Sequence, residues 1–124
     1  MTPATDQGIQ DTPSLASLSV EQAYQRWQEG STLLFDSRAL SHFSRAHVLR
    51  AIHWSYDHEL TMLQQFAFTT PIMVMCYHGI SSQGVVMRLL QQGFSTVYNI
   101  QGGFERWAAG YPRSLIHDGS LLCH

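Results

Sequence analysis

Apolar residues in this chain fall into short continuous runs separated by segments with helical spacing. Three runs, at 32–35, 72–75 and 96–100, have the length and composition of strands buried on both faces. A shorter extended piece is predicted at 51–54. Helices are predicted between Ser19 and Gly30, at 40–46, from Asp57 to about Phe66, at 82–92 and at 103–109. This alternation predicts an α/β fold, in which a small parallel sheet carries helices on both faces.

Capping signals mark the ends of two predicted helices. Ser19 and Gln22 have the spacing of a capping box, in which each side chain bonds the backbone N–H of the other residue. Gly30 stands where a left-handed C-cap is expected, and Gly93 stops the helix at 82–92. We expect the inward face of that second helix to consist of Val85, Val86, Leu89 and Leu90.

Length and composition favour one folded domain. The chain has 124 residues, of which 44% are hydrophobic and 13% charged, and this is enough apolar material for a core. We predict a domain over residues 18–112 between two flexible tails, 1–17 and 113–124. Cys123 lies in the second tail and receives no role.

Charge and residue types exclude several functions. The formal net charge is −2, so no strong field would attract nucleic acid or an anionic membrane. No apolar run approaches the ~18 residues of a membrane span, and residues 1–11 do not resemble a signal peptide. Two cysteines without a disulfide pattern favour a cytoplasmic protein with reduced thiols. The chain contains no lysine, which excludes Schiff-base chemistry and a P-loop nucleotide site.

The candidate chemistry lies at the carboxyl edge of the predicted sheet, where ligands bind in folds of this class. Asp36 and Cys76 each follow a buried strand and therefore share that edge. Asp36 and Arg38 could steer a substrate, but buried charges need partners, which favours a hydrogen-bonded structural pair.

The segment after Cys76 is a loop of small residues that leads into a helix. Backbone N–H groups in such a loop point inward and the helix dipole adds partial positive charge, so a cysteine there is held as the nucleophilic thiolate. Gly79 and Gly84 allow the tight curve, and Ser81 and Ser82 offer hydroxyl hydrogen bonds. The alternative interpretation of Cys76 is a buried structural thiol.

The stretch V-M-C-Y-H-G-I-S-S at 74–82 resembles the active-site loop of the rhodanese family, most closely that of its short single-domain GlpE-type members. The resemblance continues through L-L-Q-Q-G-F at 89–94, V-Y at 97–98 and G-G-F-E-x-W at 102–107. Upstream, F-D-S-R at 35–38 and the pattern over 43–53 are also similar to the family. The order and spacing of these motifs cover about residues 18–112.

This resemblance implies a rhodanese-like fold and a sulfurtransferase. Such an enzyme moves sulfane sulfur from thiosulfate or another persulfide donor to cyanide or a thiol acceptor. Cys76 aligns with the persulfide-forming cysteine. The implied substrate-binding loop consists of Tyr77, His78, Gly79, Ile80, Ser81 and Ser82. No metal or organic cofactor is implied, and the partners are a small sulfur donor and a thiophilic acceptor, with a protein thiol as an open alternative.

Departures from the family pattern affect two places. Ala46, Leu49 and Arg50 stand where relatives have Gly, Pro and Gly, which questions the local turn geometry. Ile80 and Gln83 stand where relatives often carry polar or basic residues. The loop therefore lacks a cationic side chain, and we expect thiosulfate to bind weakly.

Histidines contribute further candidates. His78 could tune the thiolate or bind an anion, or it could be an exposed loop residue. His47 and His53 match family positions and are expected to pack and form hydrogen bonds. The seven histidines fit no standard ligand spacing and no Cys-x-x-Cys is present, so we predict no metal site.

Three other functions compete with a small-molecule sulfurtransferase. A phosphatase or arsenate reductase would need a C-x5-R loop, but Ser82 occupies the arginine position and the next arginine, Arg88, falls in the helix pattern as a buried residue. A non-catalytic rhodanese-like binding module typically lacks the cysteine, which is present here. A protein-to-protein sulfur relay would use the same persulfide chemistry and stays open.

Overall fold

A computed structural model describes residues 16–118 of the chain. In this range the strands and helices are, in chain order, β1 (Ser17–Leu18), α1 (Val20–Glu29), β2 (Leu33–Asp36), α2 (Leu40–Arg45), β3 (Ala46–Val48), β4 (Ile52–His53), α3 (Glu59–Leu63), β5 (Ile72–Met75), α4 (Ser82–Gln92), β6 (Val97–Ile100), α5 (Gly103–Gly110) and β7 (Leu115–His117). Single 3₁₀ turns lie at Tyr56–His58 and Pro112–Ser114.

The main sheet is parallel throughout, as the alternation of strands and helices predicts. Its spatial order is β1-β6-β5-β2-β4. β5 lies in the centre, with Met75 opposite Asp36 of β2 and Val74 opposite Asn99 of β6. Because parallel strands share their carboxyl ends, this order places the residues that follow β2, β5 and β6 next to one another.

Helices cover both faces of this sheet. Alternate residues of β5 point to opposite faces. Ile72 and Val74 belong to a core cluster with side chains from α3 and α4, whereas Met73 and Met75 belong to a second cluster with side chains from α1 and α5. Burial on both faces explains why β5 is apolar at all four positions. Among residues 16–118, no helix is both long enough and apolar enough to cross a bilayer.

The predicted helix caps are confirmed. Ser19 and Gln22 form both bonds of the capping box, at 2.9 and 3.1 Å. Gly30 and Gly93 adopt left-handed conformations, and their N–H groups bond the last carbonyl groups of α1 and α4. These caps satisfy backbone groups that a helix end leaves without partners.

The tail boundaries are wrong where they meet the described residues. Ser17 was assigned to the first tail but is part of β1, which extends the sheet beside β6. Residues 113–117 were assigned to a loose tail, but β7 pairs antiparallel with β3, and the Trp107 indole donates to Ser114 Oγ at 2.8 Å. The pairings of β1 with β6 and of β7 with β3 join positions far apart in sequence, so local patterning does not reveal them. Residues 1–15 and 119–124 of the predicted tails, including Cys123, lie outside the described residues.

Three smaller predictions also need correction. Ala46 begins β3 instead of ending α2. Asp57 lies inside the 3₁₀ turn, which follows Ser55, and does not cap a long helix. Leu90 is 38% exposed, because the inward face of α4 is narrower than its apolar pattern indicates.

The turn between β3 and β4 keeps a left-handed residue although the chain has no glycine there. Arg50 has φ +71°, and among residues 16–118 it is the only residue other than glycine with a positive φ. Its guanidinium lies 4.6 Å from the centre of the Trp27 ring, and Nη2 donates to the Trp27 carbonyl at 2.8 Å. These contacts to α1 offset part of the conformational cost of a left-handed arginine.

We expect Arg50→Gly to be more stable than Arg50→Ala by about 1 kcal/mol. Both variants lose the contacts to Trp27, but only glycine adopts the left-handed conformation without a Cβ penalty. The free energy of unfolding in urea measures the difference. Equal stability of the two variants, or a more stable alanine variant, would contradict a strained turn at this position.

Candidate active site

Cys76 lies at the carboxyl end of the central strand, where the sequence predicted it. The residue is 4% exposed. Ser37 N–H and Ser37 Oγ both bond the carbonyl of Met75, at 2.8 and 3.2 Å, so the end of β2 fixes the point where the chain leaves β5. The thiol is therefore held at the sheet edge by strand pairing and not by a mobile segment.

The loop at 76–82, here called the cysteine loop, curls around the sulfur atom. The N–H groups of Gly79 and Ser82 donate to Cys76 Sγ at 3.1 and 3.3 Å. The thiol in turn donates to Ser82 Oγ at 3.2 Å. Ser82 is also the first residue of α4, so its N–H is one of the unpaired donors at the positive end of the helix dipole. The predicted amide nest is present.

These donors make the thiol more acidic than an ordinary cysteine. Burial of Cys76 by itself raises its pKa, because it disfavours the charged form. Hydrogen bonds with the side chains of Ser81 and Ser82 and from the amides of Ser82 and Gly79 oppose the effect of burial, and together they lower the pKa from 9.0 to about 7. The thiolate, which is the nucleophile, is then well populated near neutral pH.

The rate of Cys76 alkylation is expected to follow the thiolate fraction, with a midpoint near pH 7. A lowered pKa means that reactivity is full above this midpoint and falls about tenfold per pH unit well below it. Iodoacetamide modification, measured by intact mass in a Cys123→Ser background, gives the profile. A midpoint close to 9 would show that the loop does not stabilise the thiolate.

Backbone contacts from α5 fix the outer side of the cysteine loop. Phe104 N–H donates to the carbonyl of Cys76 at 2.7 Å, and Glu105 N–H donates to the carbonyl of Tyr77 at 3.0 Å. This approach requires Gly103, which has φ +58°, because a Cβ there would lie 2.4 Å from the Cys76 carbonyl oxygen. The G-G-F-E motif thus packs directly against the nucleophile.

Asn99 is a buried site residue that the sequence did not reveal. It lies on β6 and is 2% exposed. Its Oδ1 accepts from Ser82 Oγ at 2.5 Å, and its Nδ2 donates to the carbonyl of Gly79 at 3.1 Å. A polar residue inside an otherwise apolar strand was the available signal, since such a side chain needs partners.

Asp36 and Arg38 form the structural pair that the charge argument favoured. Asp36 is fully buried, and Arg38 bonds it in a bidentate manner at 2.8–3.1 Å. Arg38 also donates to the carbonyl of Ala46 at 2.7 Å, and its guanidinium lies 3.6 Å from the centre of the Phe104 ring. The pair connects β2 to α5, which carries the backbone contacts to the cysteine loop.

The remaining predicted loop residues lie on the outside. Tyr77, His78, Ile80 and Ser81 are exposed, and Ile80 reaches 72% exposure. The His78 ring stacks on Tyr77, and its Nε2 lies 3.3 Å from a carboxylate oxygen of Glu105. His78 is therefore paired with α5 at the surface. Ile80 presents an apolar side chain at the surface of the cysteine loop.

Other predicted roles are settled by their contacts. His47 and His53 bond the carbonyl groups of Phe43 and Arg38, both at 2.8 Å, as expected for structural residues. Arg88 was expected to be buried, but it is nearly half exposed and bonds the buried carboxylate of Glu59. Among residues 16–118, no group of three His, Cys, Asp or Glu side chains is arranged to hold a metal ion.

The family is decided by a match over most of the chain. The family model described as "Rhodanese-like domain" matches residues 19–110. The chain belongs to the rhodanese-like domain family. This rhodanese-like domain is bounded by the start of α1 and the end of α5, and it contains the whole cysteine loop.

Solved structures share the fold of this rhodanese-like domain. A rhodanese-related protein from Thermoplasma volcanium aligns with a TM-score of 0.65 at 19% identity, covering 77% of this chain and 93% of its own. A rhodanese-like domain protein from Staphylococcus aureus aligns at 0.67 and 20%, covering 75% and 91%. A protein from Rhodopseudomonas palustris, described as a possible tyrosine phosphatase, aligns at 0.69 and 15%, covering 80% and 83%. At these identities the similarity shows the fold alone.

Proposed function

We propose that this rhodanese-like domain is a sulfurtransferase that carries sulfane sulfur as a persulfide on Cys76. The observation that carries the proposal is the position of the sulfur, which receives the N–H groups of Gly79 and Ser82 at the N-terminus of α4. Amide donors stabilise a negative charge without adding a competing acid or base. A thiolate and a persulfide anion are both charges of this kind.

In the first half-reaction the Cys76 thiolate attacks the outer sulfur of the donor. A bond forms between Cys76 Sγ and that sulfur, and the bond within the donor breaks. Thiosulfate releases sulfite and leaves the Cys76 persulfide anion, while a persulfide donor releases its thiolate. The electron pair of the broken bond leaves with the sulfite or the thiolate, so no external oxidant or reductant is needed.

In the second half-reaction the acceptor attacks the terminal sulfur of the Cys76 persulfide. Cyanide leaves as thiocyanate, and a thiol acceptor leaves as its persulfide. The Cys76 thiolate is the leaving group, and the same hydroxyl and amide hydrogen bonds that lower its pKa to about 7 make it a good one. Thus one loop serves both steps.

Steady-state kinetics test this scheme. Double-displacement chemistry predicts parallel double-reciprocal lines when donor and cyanide concentrations are varied. We expect a persulfide donor to give a lower KM than thiosulfate, because the cysteine loop contains no lysine or arginine to bind the dianion and His78 is paired with Glu105. Intersecting lines would contradict the double displacement, and a lower KM for thiosulfate would contradict the donor preference.

A phosphatase is disfavoured by the same loop. Ser82 stands at the sixth position after Cys76, where the oxyanion-binding arginine of that chemistry would lie. The next arginine in the chain, Arg88, bonds Glu59.

The proposal includes membership of the GlpE-type subtype and a cytoplasmic location. The acceptor in this proposal is either a small thiol or a protein thiol. A protein relay predicts that a partner is trapped as a mixed disulfide with Cys76. A non-catalytic binding module predicts that no donor loads sulfur onto the chain.

A further inference from the structure

A small basic groove lies beside the cysteine loop. Its volume is about 200 Å³, and it is lined by Arg38, His42, Arg45, Ala46, Tyr77 and Phe104. Two of these residues border the nucleophile directly, since Tyr77 follows Cys76 in the chain and the Phe104 N–H bonds the Cys76 carbonyl. The groove therefore borders the segment of backbone that carries Cys76.

The cations in this groove are not equivalent. Arg38 is neutralised by the buried Asp36 and lies over the Phe104 ring. Arg45 is exposed and, among the described residues, has no ion-pair or hydrogen-bond partner. His42 is also exposed, and its ring centre lies 6.3 Å from that of Tyr77. The exposed guanidinium of Arg45 thus lines the same groove as the Tyr77 and Phe104 rings, in a protein of net negative charge.

We propose that the basic groove binds the carboxylate arm of a low-molecular-weight thiol or persulfide, with Arg45 as the principal anion contact. A guanidinium bonds a carboxylate in a bidentate manner. Tyr77 and Phe104 cover the aliphatic part of the arm. The volume is below that of pockets which enclose a whole small molecule, so it suits one arm of a ligand whose sulfur remains outside.

Arg45, at the end of α2, supplies the positive charge that the cysteine loop lacks. The basic groove therefore indicates a substrate class for the proposed sulfurtransferase, and this inference rests on the proposed function. Arg45 selects anionic thiols over neutral thiols, whereas the amide groups of the cysteine loop act only on the sulfur atom. Arg45 is then a specificity-determining residue for the donor or the acceptor.

Binding of S-methylglutathione tests the groove without sulfur transfer, because this thioether has the carboxylates but no transferable sulfur. NMR titration of the full chain is expected to shift the amides of Tyr77 and Phe104. Arg45→Gln should weaken binding about fivefold, which corresponds to about 1 kcal/mol. Arg113→Gln, an exposed arginine outside the groove, removes the same charge and should leave the Kd unchanged.

The diethyl ester of S-methylglutathione separates charge from shape. It should bind the wild-type protein no better than the dicarboxylate binds Arg45→Gln. Equal Kd values for wild type and Arg45→Gln, or no binding to the wild type, would overturn the proposal. Neither result would contradict the persulfide chemistry of Cys76, because persulfide formation is measured separately.

An independent observation concerns the single hydroxyl proton of Ser82. Asn99 Nδ2 donates to the Gly79 carbonyl, and only the nitrogen of an amide carries hydrogens, so Oδ1 must face Ser82 as an acceptor. The Ser82 hydroxyl therefore donates to Asn99 while it accepts from the Cys76 thiol. One proton cannot serve Asn99 and the sulfur together.

We propose that Asn99 is a positioning residue that competes with the Cys76 sulfur for the Ser82 hydroxyl proton. Once the thiol has lost its own proton, the sulfur gains a donor if Ser82 turns towards it. That turn leaves the buried Oδ1 of Asn99 without a donor, which is costly. Asn99 thereby opposes the stabilisation that Ser82 offers to the thiolate.

Two pairs of charged groups flank the cysteine loop, while Arg45 and His42 line the basic groove beside it. From β2 and the residues after it, Asp36 and Arg38 neutralise each other. From the loop and α5, His78 and Glu105 form a surface pair. The competition for the Ser82 proton is therefore not masked by an unpaired charge within these two pairs.

Alkylation of Cys76 at pH 6 tests the competition and does not depend on sulfur transfer. Asn99→Ala should raise the rate about two- to threefold, as expected for a modest rise in thiolate fraction, and Ser82→Ala should lower it. At pH 9.5, where the thiolate dominates, the variants should react alike. This convergence separates a change in ionisation from a change in access to the sulfur.

A double-variant cycle excludes a merely structural effect of Asn99. If Asn99 acts through Ser82, adding Asn99→Ala to Ser82→Ala should change the pH 6 rate no further. A decrease in rate for Asn99→Ala, or the same change in both backgrounds, would overturn the assignment.

Discussion

Cys76→Ser is expected to abolish sulfur transfer while the domain remains folded. The side chain is buried and differs from serine by one atom, so packing in the cysteine loop changes little. A serine hydroxyl at this position is not ionised near neutral pH and cannot form a persulfide. We expect the formation of thiocyanate from a persulfide donor and cyanide to fall to the rate measured without protein.

The matched control is Cys123→Ser, which removes the other cysteine of the chain. It should retain full turnover. Near-native urea unfolding of Cys76→Ser would show that its inactivity is chemical. Retained turnover in Cys76→Ser, or loss of turnover in Cys123→Ser, would show that the sulfur is not carried by Cys76.

Gly103→Ala is expected to destabilise the domain by about 2–4 kcal/mol and to suppress sulfur transfer. The added Cβ would lie 2.4 Å from the Cys76 carbonyl oxygen and 2.6 Å from that of Tyr77, at a backbone φ of +58°. Both neighbours are backbone atoms, which cannot rotate away. Relief requires α5 to move, and this breaks the bonds from Phe104 and Glu105 to the loop.

Gly110→Ala is the control at the other end of the same helix. A Cβ there meets nothing within 4 Å, and its φ is not in the left-handed region. We expect stability to be unchanged or slightly higher, because alanine favours the helix. Urea unfolding and turnover measured on both variants decide the matter. Equal behaviour of the two would contradict the close approach of α5 to the cysteine loop.

The parts of the fold that the sequence predicted are those governed by local patterning. The strands at 33–36, 72–75 and 97–100 are apolar apart from Asp36 and Asn99, because the sheet is covered on both faces. The caps at Ser19 and Gly93 are local as well. β1 and β7 were missed because their stability comes from pairing with β6 and β3, which lie far away in the sequence.

The candidate site divides in the same way. Cys76 and Ser82 were predictable because strand, Gly/Ser loop and helix follow one another directly. Asn99 was not, because its two partners lie in a loop that only the folded sheet brings to β6. Arg45 was missed because its exposure and its closeness to Tyr77 depend on how α2 packs.

The most direct test of the account is the intact mass of the reduced protein after incubation with a persulfide donor and desalting. We predict that the wild-type chain gains one sulfur atom, about 32 Da, and loses it on addition of cyanide. Cys76→Ser, which still contains Cys123, should gain nothing. No cyanide-labile gain in the wild-type protein with any donor, thiosulfate included, would contradict the account and favour a non-catalytic binding module.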